Sequence, residues 1–156
     1  MKLTPTKPAR SKAKKAPKPV VKLTRQVIVI RRDLSMRRGQ EICQGARASN
    51  AWLNARLRLL GVNRLANINS FRPIVSLTNP QAEWLKGKCY KHCVSVQTER
   101  EIRALYSAAL SAGLEAHLIE DVGLTIPKDE ETPTALAIGP DYAAKIDPLT
   151  KHLLQY

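Results

Sequence analysis

Side chains capable of chemistry gather in three stretches of this 156-residue chain. Arg31, Arg32, Arg37, Arg38 and Arg47 crowd the first, and guanidinium groups at that density suit a polyanion. Asp121, Thr125, Thr132 and Thr134 form the second, a carboxylate and hydroxyls able to hold hydrogen bonds around a ligand. Each has a structural alternative, because an Asp ahead of a Gly caps turns and threonines favour strands. Cys89, His92 and Cys93 make the third, but without a second pair of ligands the spacing suits buried free thiols better than a tetrahedral metal site. No metal and no cofactor is expected. His92 and His117 read as core or surface residues, and Trp52 and Trp84 as packing residues.

These groups need elements to hold them. An apolar β-branched run over 26–30 reads as a strand buried on both faces. A helix over 39–60 follows, with Ile42, Ala46, Ser49, Leu53, Leu57 and Leu60 as its inward stripe. After an irregular 61–79 come a short helix over 81–85 and a strand over 90–97. Thr98 and Glu101 then form a capping box for a helix that ends at Gly113. Strands are expected over 116–120 and 134–138, Gly139-Pro140 should break the chain, and Asp141 should cap a last helix to about residue 153. The pattern predicts an α/β fold: a small, four-stranded, mainly parallel (mixed) sheet with helices on both faces. Ligands of such sheets lie off the carboxyl ends of the strands. That rule selects the turn over 31–40 and the loop over 121–134.

Charge is strongly polarised. Of 26 basic side chains, nine lie in residues 1–25 without any acid, and nine more lie in 31–72 against Asp33 and Glu41. From residue 73 onward acids outnumber bases. Residues 1–25, with Pro5, Pro8, Pro17 and Pro19 among lysines, read as a flexible basic tail ahead of a single domain over 26–156. A mitochondrial import segment is the competing reading of the tail, disfavoured by its prolines. No stretch of the sequence reaches the ~18 apolar residues of a membrane span, and no amphipathic helix or lipidation motif supports an anionic membrane as the partner of the basic tail, so no membrane partner is expected.

The segment from Gln26 to Gly39, with Gln44 and Ala48-Ser49, resembles the opening strand and helix of type 2 peptidyl-tRNA hydrolases. Asp121-Val122-Gly123-Leu124-Thr125, Thr132 to Pro140, Ile146-Asp147 and His152-Leu153 are similar to that family's closing half. The resemblance implies hydrolysis of the ester between a peptide and the 3′ ribose of tRNA, a cytoplasmic location and a homodimer. It implies Asp121 as the residue orienting water, with Thr125, Thr132 and Thr134 bonding water or the ester. Gln40 and Gln44 are implied at the site, and Arg31, Arg37, Arg38 and Arg47 as phosphate ligands.

Two positions depart from the family pattern. Arg38-Gly39-Gln40 stands where the family has lysine-glycine-lysine, and Ala46-Arg47-Ala48 where it has a histidine between alanines. Gln40 brings no charge, and Arg47 does not exchange a proton near neutral pH. The alternative reading is therefore a relative without chemistry that binds RNA, with residues 1–25 reaching a ribosome or other ribonucleoprotein.

Overall fold

Strand propensity at the start of the domain extends further than the apolar run. In a computed structural model describing residues 22–60, 74–122 and 131–156, β1 spans Thr24–Arg31. It leads into α1 (Arg38–Leu59), and α2 (Asn79–Lys86) precedes β2 (Lys91–Val96). Next come α3 (Glu99–Ser111), β3 (Ala116–Asp121), β4 (Thr132–Tyr142), α4 (Ala143–Thr150) and β5 (Leu154–Gln155). The basic tail over 1–21, residues 61–73 and residues 123–130, Thr125 included, lie outside the described residues.

The strands form one sheet in the order β3-β4-β1-β2-β5. This corrects the expected four mainly parallel strands: among the described residues there are five, and only β1 with β2 is a parallel pair. Parallel neighbours need a long crossover, as α1 and α2 supply between β1 and β2. Only residues 122–131 separate β3 from β4, so β4 turns back antiparallel to β3 and takes the place between β3 and β1. The last helix stops at Thr150, short of the expected 153, which leaves Leu154–Gln155 to pair with Val94 and Ser95.

Gly139-Pro140 does not end β4 as expected. The pair sits beside a register shift against Arg25/Val27, where a residue without a backbone N–H is tolerated. Gly139 has φ +86°, and a Cβ there would lie 2.8 Å from the Asp141 nitrogen. The helix cap also moves by one residue: Tyr142 is the N-cap of α4, and Asp141 Oδ1 accepts from the Tyr142 N–H at 2.6 Å.

Helices cover both faces. Val27, Val29, Val94, Leu136 and Ile138 meet Ile102, Ala109 and Ile146 of α3 and α4 on one side. Ile28, Ile30, Ala135 and Ala137 meet Ala48 of α1 on the other. Full burial of side chains such as Ile102 and Ile138 contributes roughly 1.5–3 kcal/mol each. The inward stripe of α1 is not the expected one. Gln44, Ala48 and Trp52 are buried, while Ile42 and Leu53 are exposed. Gly45 and Ala48 bring α1 close to β1, where a Cβ on Gly45 would come within 4.0 Å of Ile30 and Ile28, and this turns Ile42 and Leu53 outward. Trp52 packs edge-on against Trp84, with ring centroids 6.2 Å apart. The three cysteines are free, but Cys43 and Cys93 are exposed, against the expectation of burial. No described helix is long and apolar enough to cross a membrane.

Candidate active site

β1, β2 and β3 run in one direction, so their carboxyl ends collect at one edge of the sheet, where β4 begins. The start of α1 lies at the same edge. At its first turn, a Cβ added to Gly39 would meet nothing within 4 Å, so the helix surface is open there, at the positive end of the helix dipole.

Gln44 is the hub of the site. It is fully buried, and its Nε2 donates to Asp121 Oδ1 at 3.2 Å. Its Oε1 accepts from Thr134 Oγ1 at 3.0 Å and from Arg47 Nη1 at 3.1 Å. A carboxylate only accepts and a guanidinium only donates, so these neighbours determine which way the amide points. Thr134 Oγ1 also lies 3.1 Å from the Ile119 carbonyl, and its single proton serves one acceptor at a time.

Asp121 is 1% exposed and Arg47 is half exposed. Arg47 Nη1 stands 3.6 Å from Asp121 Oδ1, while Nη2 donates to the Glu120 carbonyl at 3.2 Å. A buried anion is thus held beside a cation at the mouth of the site. Thr132, also buried, pairs in register with Asp121. A cleft of about 460 Å³ continues from Arg47 between α1 and β3, with Asn54, Arg58 and His117 on its walls.

The arginines divide into two groups. Arg31 is buried and fully engaged: Nε and Nη2 bond Asp33 at 2.9 and 2.7 Å, and Nη1 bonds Glu99 at 3.1 Å and the Pro133 carbonyl at 2.9 Å. The Asp33 hydrogen bond outweighs burial and raises the Arg31 pKa, so this side chain ties the ends of β1, α3 and β4 together. Arg37 and Arg38 are exposed at the start of α1. Gln40 is half-buried, and its Oε1 accepts from the Arg37 N–H at 2.7 Å.

Asp121, Thr132, Thr134, Gln44 and Arg47 are therefore brought together, Gln40, Arg37 and Arg38 lie at the adjoining helix start, and Arg31 is committed to protein partners. The sequence reading missed Asn54 and Arg58. Their signal was the helical spacing 47, 51, 54, 58, which places them on one face with Arg47.

A family model described as peptidyl-tRNA hydrolase PTH2 matches residues 24–156. A peptidyl-tRNA hydrolase of Methanocaldococcus jannaschii is 36% identical over 132 residues, covering 83% of this chain and 96% of its own. That of Aeropyrum pernix is 33% identical over 134 residues, covering 81% and 90%. A probable peptidyl-tRNA hydrolase 2 of Dictyostelium discoideum is 31% identical over 133 residues, covering 85% and 54%. With the family model spanning the whole sheet, and relatives above 30% identity aligned over most of the chain, this protein belongs to the PTH2 family of peptidyl-tRNA hydrolases.

Proposed function

We propose that this protein hydrolyses the ester joining a peptide, or an N-blocked amino acid, to the 3′ ribose of tRNA. The observation that carries the reading is the buried Asp121 carboxylate, held by Gln44 and faced by the half-exposed guanidinium of Arg47. In this mechanism Asp121 orients a water and accepts its proton as the water oxygen attacks the ester carbonyl. Negative charge developing on the carbonyl oxygen is met by Arg47 and by the positive end of the α1 dipole. The carbon–oxygen bond to the ribose then breaks, and the proton returns to the departing 3′ oxygen, giving a free 3′-hydroxyl and a carboxylic acid that loses its proton to solvent. Arg47 keeps its proton throughout, so Asp121 carries the transfer.

Thr134 aligns Gln44, and Thr125 and Thr132 are proposed to bond the water or the ester. Arg37 and Arg38, exposed on the same edge, hold tRNA phosphates. The outward Ile42 and Leu53 of α1 support a homodimer, and the substrate supports a cytoplasmic location. The test is single-turnover release of N-acetyl-amino acid from charged tRNA. The expected result is release that falls at least a hundredfold in Asp121→Ala. No release by the wild type, with tRNA still bound, would overturn hydrolysis and favour the RNA-binding reading.

A further inference from the structure

The far end of β1 carries a groove that the reaction does not use. Its cavity, about 650 Å³, lies between α2 and the start of β1 and is lined by Lys22, Lys86, Lys88, Trp84, Tyr90 and Tyr142. Eight residues of strand put it roughly 25 Å from the edge that holds Asp121. Three lysines there face one acid, Glu83, which already accepts from the Tyr142 hydroxyl at 3.2 Å. Tyr90 is half exposed, and its carbonyl accepts from Trp84 Nε1 at 2.8 Å and from the Gln26 N–H at 3.0 Å. Lys22 lies 5.1 Å from the Tyr142 ring centre, and Lys91 lies 4.8 Å from that of Trp84.

We infer that this groove takes a single-stranded segment of RNA, with one base stacked on Tyr90 and the flanking phosphates on Lys22, Lys86 and Lys88. Aromatic faces set among cations are the combination that holds single strands without reading sequence. Residues 1–21, which precede Lys22 in the sequence, carry seven basic residues and no acid, and with the three groove lysines this charge selects a polyanion. The same charge disfavours the other occupants. The protein's own tail would bring lysines to lysines, and a symmetric second copy would face this patch with itself. The groove is independent of the ester chemistry.

The experiment uses the full chain and fluorescein-labelled decauridylate, which carries no ester, with affinity read by anisotropy across a salt series. Tyr90→Ala should weaken binding five- to a hundredfold, the loss expected for one stacked base, while Tyr90→Phe binds like the wild type. Lys86→Glu with Lys88→Glu should weaken it at least tenfold and flatten the salt dependence by more than one unit of slope. Every variant should release N-acetyl-amino acid from charged tRNA at the wild-type single-turnover rate when enzyme is saturating. Decauridylate affinity within twofold of wild type in both Tyr90→Ala and the double lysine variant overturns the proposal, as does a loss confined to anionic vesicles or to self-association. A wild type without esterase activity, whose groove variants still lose decauridylate, would refute hydrolysis and leave the groove standing.

Discussion

Gln44 Nε2 reaches Asp121 Oδ1 at 3.2 Å with both residues almost wholly out of solvent, so a single amide joins the second turn of α1 to the carboxyl end of β3. A carboxylate with so little water around it depends on its donors. Gln44→Leu keeps the volume and removes that donor, and should lower stability by about 1–3 kcal/mol in urea melts. Gln44→Glu should behave differently, because two carboxylates at this distance resist ionising together. The folded pKa of the pair then lies above the unfolded value, so the deficit grows as pH rises. Melting temperatures should trail the wild type more at pH 7 than at pH 5, and a deficit independent of pH would refute the arrangement.

Arg47 offers a second test because its fork meets three oxygens, those of Gln44, Glu120 and Asp121. A lysine keeps the charge but presents a single ammonium in place of the planar fork. Arg47→Lys should therefore retain tRNA affinity within about twofold while its single-turnover rate falls tenfold or more. Arg47→Ala should lose the rate and also reduce the salt slope of tRNA binding by up to about 0.9, one phosphate's worth. Wild-type turnover by Arg47→Lys would mean that charge alone matters at this position.

Local signals in the sequence were read well where one short-range interaction decides. The capping box of Thr98 and Glu101 is present, with Thr98 Oγ1 accepting from the Glu101 N–H at 3.2 Å, and α3 ends before Gly113 at φ +68°. Long-range pairing was not legible. Nothing within 132–142 announces that β4 turns back between β1 and β3, since a buried central strand has the same apolar run in either direction. The stripe of α1 misled for a related reason. Counting leucines selects Ile42 and Leu53, whereas the contact with β1 is set by Gly45 and Ala48, and the polar Gln44 enters the interior because Asp121, Thr134 and Arg47 satisfy it. Resemblance named the residues of the site; the hub role of Gln44 emerged only from distances.

Acid sensitivity should concentrate at Glu115. Burial pushes this carboxyl up, but hydrogen bonds from His117 and Arg56, with the charge of Arg56, prevail and hold it at about 2. A folded value below the ordinary 4.5 adds stability that is complete above pH 4.5 and lost as pH falls toward 2. Glu115→Gln should cost roughly 1–3 kcal/mol at pH 7, and the gap to wild type should close between pH 4.5 and 2 in paired urea melts. A gap unchanged over that range would show that Glu115 packs without relying on its charge.

Gln40 tests the departure from the family pattern in the direction of gain. Its Oε1 caps the Arg37 N–H at 2.7 Å, an interaction worth about 0.5–1.5 kcal/mol, and a cation in the first turn of a helix costs about 0.3–1 kcal/mol more. Gln40→Lys should therefore be less stable. It also restores the lysine of the family pattern at the positive end of α1, where the proposed mechanism puts the charge of the ester oxygen; losing one such donor typically costs a hundredfold or more, so gaining one should raise the single-turnover rate at least tenfold. Gln40→Met removes the cap without adding charge and separates the two effects: it should lose stability and gain no rate. A slower or unchanged Gln40→Lys that still binds tRNA like the wild type would place the oxyanion away from α1, leaving Arg47 as the sole cation that meets it.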